Sequence, residues 1–166
     1  MAFRFESPYL DLEVPRLLTI LEASPALAGF AGSEMDQRKV EGLRGWEFPE
    51  ISRIVVSLAA IIRSSLDADP VGEGDPTYGP ALRRQVGTLI PDLDAPEKQQ
   101  EPIVFREACN KVIHAKSVES ETIPAIRDTV APLSGRLVLY GDRNDKNWRA
   151  VLDLREFALS ALSLSP

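Results

Sequence analysis

Arg136-Leu-Val-Leu-Tyr-Gly-Asp-Arg-Asn-Asp-Lys-Asn-Trp-Arg-Ala-Val-Leu152 holds two β-prone runs around a turn-forming centre. Residues 136–141 and 147–152 carry the Val, Tyr and Trp that a pleated strand favours. Residues 142–146 are rich in Asp and Asn, whose short side chains bond their own backbone and tolerate turn geometry. The pattern predicts an antiparallel hairpin. A lone hairpin is only marginally stable in water, so this one must pack on other elements.

What surrounds it reads as helical. Immediately after it, Asp153 and Glu156 form a D-x-x-E pattern, a capping box for a last helix with Leu154, Phe157, Ala158, Ala161 and Leu162 as its apolar stripe. On the N-terminal side, Leu10, Val14, Leu17, Leu18 and Leu21 recur at helical spacing, with Ser24-Pro25 as the expected end. Ile51, Ile54, Val55, Leu58, Ile61, Ile62 and Leu66 predict a central helix over 49–66. Residues 68–80, dense in Gly and Pro, predict a loop, and 81–89 a short helix followed by a polar linker over 91–100. The fold predicted from these patterns is mainly α: a helical bundle over 1–131, a β-hairpin over 132–153 and a terminal helix over 154–166, in one domain.

Composition narrows the function. The net charge of −6 disfavours a general nucleic-acid or anionic-membrane binder. The charge is uneven: residues 1–101 carry 10 Lys/Arg against 17 Asp/Glu, and residues 102–166 carry 9 against 8. An anionic ligand would therefore meet the C-terminal third. One cysteine cannot form an internal disulfide. The N-terminus lacks a signal-peptide layout, and the longest apolar run, 54–62, falls far short of the ~20 residues that span a bilayer. A cytoplasmic protein without membrane partners is expected.

The only histidine and the only cysteine share one segment, Phe105-Arg-Glu-Ala-Cys-Asn-Lys-Val-Ile-His114. As a helix at roughly 100° per residue, it puts Arg106, Asn110 and His114 within about 80° of one another. Val104, Phe105, Ala108, Cys109, Val112 and Ile113 are expected to form its buried face. Glu107 and Lys111 form an exposed ion pair. His114 is a candidate proton acceptor near neutral pH, Arg106 a candidate for stabilising phosphoryl charge, and Asn110 a candidate for orienting either partner. The alternative is structural: Asn110 and His114 hydrogen-bond a neighbouring loop, and Arg106 joins a surface ion pair. Cys109 and His114 lie about 140° apart around the helix and cannot chelate one ion unaided. No metal or other cofactor is expected. The glycine-rich stretch 72–79 lacks the Gly-Lys-Ser/Thr ending of a phosphate loop.

The hairpin offers a second surface. Arg136, Arg143, Lys146 and Arg149 add positive charge, and Trp148 and Tyr140 add aromatic area, a combination that holds single-stranded nucleic acid by phosphate contact and stacking. The plain alternative has Trp148 and Tyr140 packing the hairpin on the bundle while the charges solvate its tip.

The stretch Arg106…Asn110-Lys-Val-Ile-His114-Ala resembles the second-motif helix of the HEPN superfamily. That resemblance implies a helical bundle, often dimeric, and a metal-independent ribonuclease or RNA-binding protein. Arg106 would match the family's motif arginine and His114 its histidine, which act on RNA through the 2′-hydroxyl. The expected partners are RNA and a second copy. The competing expectation is a non-catalytic domain that binds another protein and uses the Arg-Asn-His stripe structurally.

Overall fold

The structure, a computed structural model, describes residues 8–29, 34–68, 75–123 and 131–164. Three helices come first: α1 (Pro8–Gly29), α2 (Glu34–Arg44) and α3 (Glu47–Ala68). The periodic stripe of α3 is buried as its spacing requires, with Ile51, Ile54, Val55, Leu58, Ile62 and Leu66 all in the core. Helix α1 does not end at Ser24-Pro25 but continues to Gly29 and buries Ala28. The Ser24 hydroxyl has a tertiary role instead. It donates to the Glu47 carboxylate at 3.3 Å and accepts from the Leu133 N–H at 3.2 Å.

After the single turn α4 (Gly79–Leu82), the chain departs from the expected bundle. Strand β1 (Gln85–Ile90) stands where a helix over 81–89 was predicted. Strands β2 (Glu101–Val104) and β3 (Ser117–Thr122) flank helix α5 (Phe105–Ile113). Strands β4 (Leu133–Arg143) and β5 (Lys146–Asp153) form the predicted hairpin, and α6 (Leu154–Leu162) closes the chain. The strands make one five-stranded sheet in the order β2-β1-β5-β4-β3, with every neighbouring pair antiparallel. The protein is therefore mixed α/β, not a mainly helical bundle with one hairpin. The hairpin of 132–153 is the centre of a sheet.

Register explains which face is buried. Leu137 lies opposite Leu152, Leu139 opposite Ala150, and Gly141 opposite Trp148. All six are buried and face the helices, with α1, α5 and α6 packed against β4. A Cβ on Gly141 would run into the Trp148 indole, so only glycine leaves room for that ring. Phe105 of α5 and Phe157 of α6 meet edge to face at 4.9 Å between centroids, both fully buried. One hydrophobic core draws on α1, α3, α5, α6 and the sheet.

The hairpin turn is tighter than the expected 142–146. Asp142 pairs with Asn147 and Arg143 with Lys146, which leaves Asn144 and Asp145 as a two-residue loop. Both have positive φ, 52° and 61°, the primed geometry that matches strand twist. Asp153 caps α6, its Oδ1 accepting from the N–H groups of Arg155 and Glu156 at 3.0 and 3.1 Å. Among the described residues no helix is long and apolar enough to cross a membrane.

Candidate functional site

Helix α5 lies beside the turn end of the β4–β5 hairpin, and its exposed side forms one wall of a groove. Phe105, Ala108, Cys109 and Val112 recur at three- and four-residue spacing and are buried, which fixes the phase of the helix. Burial pushes the Cys109 thiol up to about 12, so it is a neutral packing group and not a nucleophile. The helix starts where the Phe105 N–H donates to the Arg84 carbonyl at 2.9 Å. It ends at His114, whose backbone N–H donates to the Asn110 carbonyl at 3.1 Å.

The structure brings two of the three stripe residues into this groove. Asn110 and His114 line a cavity of about 540 Å³ with Arg63 of α3, Glu107 and Lys111 of α5, and Asp142, Arg143 and Trp148 of the hairpin. Arg106 does not line it. The angles account for this: Glu107 and His114, seven apart, differ by only about 20° around the helix, whereas Arg106 stands about 80° from His114. Arg106 is half-buried and His114 is exposed.

Lys111 corrects the expected exposed pair. Its ammonium reaches the Glu107 carboxylate at 3.6 Å, yet the residue is only 8 % exposed. Its Nζ sits 4.6 Å from the centroid of the Trp148 ring, so the cation rests on the indole. Glu107 Oε2 also accepts from Asn110 Nδ2 at 3.1 Å. Glu107 thus joins Asn110 to Lys111, and Lys111 ties α5 to the hairpin.

The hairpin residues proposed for nucleic-acid contact fall on different surfaces. Arg136 and Arg149 lie on the sheet face away from the helices, where both line a shallow cavity, and Arg136 meets Glu121 at 3.6 Å. Trp148 is 2 % exposed with Lys111 over its face, so it offers no stacking surface to a base. Arg143 and Lys146 face each other across the turn beside α5. Lys146 bonds the Asp92 carboxylate at 3.1 Å. That bond, with the N–H of Asp94, holds the Asp92 carboxyl below the usual carboxylate range.

Most cations near the groove already have a carboxylate. Arg63 meets Asp67 at 3.0 Å and Lys116 meets Asp142 at 2.8 Å. Among the described residues, the Arg143 guanidinium and the His114 imidazole have no side-chain partner. Also among the described residues, no three His, Cys, Asp or Glu side chains are grouped to hold a metal ion.

Sequence reasoning did not assign Glu107, Lys111, Arg63 or Asp142 to the site. The seven-residue spacing of Glu107 and His114 was a usable signal. Arg63 and Asp142 come from elements whose placement beside α5 no local pattern reveals. The resemblance noted above rests on α5 alone, and the helical bundle it implies is not the fold observed. No family model, no curated protein and no solved structure matches this chain.

Proposed function

We propose that the groove along α5 binds single-stranded RNA and cleaves it at a phosphodiester bond through the 2′-hydroxyl. His114 accepts the 2′-hydroxyl proton, and the 2′-oxygen attacks phosphorus to form a 2′,3′-cyclic phosphate. The bond to the 5′-oxygen breaks, and that oxygen takes a proton from solvent. Arg143, with Lys111 behind it, meets the charge that builds on the phosphoryl oxygens. The observation that carries this reading is that His114 and Arg143, both exposed and both without a side-chain partner among the described residues, line one cavity. The guanidinium fork matches a phosphate, and an imidazole is the side chain suited to proton transfer near neutral pH. Arg106, the expected charge stabiliser, yields that role to Arg143 because, of the two, Arg143 alone lines the cavity, and Arg63, which also lines it, is paired with Asp67.

The competing function, a non-catalytic protein-interaction domain, has one observation in its favour. Glu107, Asn110, Lys111 and Trp148 already satisfy one another as a clasp between α5 and the hairpin.

The test is cleavage of single-stranded RNA by the purified protein in excess chelator, with single-stranded DNA as control. RNA should be cut and DNA should not. His114→Ala should lower the rate by about 10²–10⁴, and Arg143→Ala by about 10²–10³, with circular dichroism unchanged. Wild-type protein that leaves RNA intact over hours would favour the clasp.

A further inference from the structure

The groove does not end at Lys111. A second cavity of about 390 Å³ continues past it toward the start of α5, and the two share Glu107, Lys111, Arg143 and Trp148 as a common wall. The character of the lining changes along the way. At the His114 end it is mostly polar and charged. At the other end Leu89, Pro91, Pro102, Ile103 and Val104 supply apolar surface, while Glu101, Asn144 and Lys146 stand around it as hydrogen-bonding groups.

We infer that this second compartment takes the nucleobase of the nucleotide whose phosphate lies between Arg143 and His114, so that the ligand is recognised as a nucleoside phosphate and not as a bare anion. The inference rests on the RNA reading above and deepens it. A nucleotide is a planar group with apolar faces and a hydrogen-bonding edge, joined to an anion. The groove presents the same sequence of surfaces: an apolar compartment with polar groups beside it, then a guanidinium with no side-chain partner among the described residues. The compartment falls within the ~300–1,000 Å³ range of small-ligand sites, and a few polar groups around apolar walls are how such sites fix orientation. Trp148 is the floor between the two ends, its face already covered by Lys111. Base contact is therefore with the proline and valine walls, and the indole keeps α5 and the hairpin at a fixed separation. The Asn144 amide, with both a donor and an acceptor, is the group placed to read the edge of the base.

The test compares inorganic phosphate, nucleosides and nucleoside 3′-monophosphates, followed by methyl shifts of Val104 and Leu89 and by the ring protons of His114 in NMR titrations. The 3′-monophosphates should shift both sets and bind at least about tenfold more tightly than phosphate, the step that 1.4 kcal/mol represents. Val104→Trp should fill the compartment and reduce them to the affinity of phosphate, with circular dichroism unchanged. Pro102→Trp, at an exposed edge-strand position, does the same job should Val104→Trp fail to fold. If phosphate and 3′-monophosphates bind equally, with only His114 responding, the base compartment is wrong and the phosphate site stands. Nucleosides that shift Val104 with no gain from the phosphate would uphold the compartment and remove the phosphate site. No response to any probe overturns both.

Discussion

At the scale of single residues, Lys111 shows why an ammonium can stay buried. Its charge is met from one side by Glu107 and from the other by the Trp148 ring. A cation over an aromatic face stabilises by about 0.5–2 kcal/mol, more as water is removed, and the aliphatic stem packs as well. Lys111→Ala should therefore cost about 1–3 kcal/mol. Lys111→Met, which keeps the stem, should cost less than Lys111→Ala. Thermal melts decide this, since 1 kcal/mol corresponds to about 2–4 °C for a chain of this size. Equal losses in the two variants would assign the effect to charge alone. Cys109 gives a second residue-scale prediction. Its thiol is raised to about 12 by burial, so folding keeps the neutral form. The stability this represents is complete below the unfolded thiol value, near 9.0, and falls as pH rises from there toward 12. Native protein at pH 8 should react with a thiol reagent only as fast as it unfolds, and immediate labelling would contradict the burial.

At the scale of elements, the hairpin turn makes the clearest prediction. Asn144 and Asp145 both occupy positive φ, and the second position of such a turn suits glycine best. Asp145→Gly should stabilise by about 0.5–1 kcal/mol, visible as a higher melting temperature, while a β-branched residue at 145 should lower it. The hairpin, α3, α5 and the cap of α6 were legible because each repeats its pattern at its own period. Strand β1 was not, and its bulge explains why. The register shifts between Gln85 and Gly87, so Val86 and Leu89 are both buried at a spacing of three. A regular strand has period two and cannot do that, whereas a helix can, so the bulge gives β1 a helical signature. Strand β3, Ser-Val-Glu-Ser-Glu-Thr, is an edge strand whose one apolar residue is Val118. Its acidic side chains suit an exposed edge and erase the apolar alternation by which strands are read. Strand β2 is four residues long, contains Pro102 on the opposite edge and runs straight into α5. With three strands hidden in these ways, a sheet reads as a lone hairpin. The groove was half legible for the same kind of reason. The stripe of α5 could be drawn from spacing, but Arg143 could be assigned to it only once the hairpin was known to end beside that helix.

At the scale of the whole molecule, sheet order decides how the protein should unfold. Strand β1 lies between β2 and β5, and β4 between β5 and β3, so the centre of the sheet cannot form until residues 85–90 meet residues 146–153. The helices that cover this sheet come from both ends of the chain: α1 packs on α6 and on β4, and α3 packs on α5. No contiguous half of the chain contains a complete core, because Leu10, Leu58, Phe105 and Phe157 belong to the same cluster. A single cooperative transition follows. Trp46, 46 % exposed in the turn just before α3, and Trp148, buried in the sheet, can report on it separately once the other is replaced by Phe. In a Trp46→Phe protein, the denaturation midpoint from Trp148 emission should coincide with that from far-ultraviolet circular dichroism. Phe157→Ala tests the same point from inside. It removes the ring that joins α6 to α5, and should cost about 3–5 kcal/mol. Both signals should move together, since loss of the α5–α6 contact loosens the sheet and the helices at once. If Trp148 emission changes at lower denaturant than the helical signal, residues 8–68 hold together without the sheet, and the chain is two folding units.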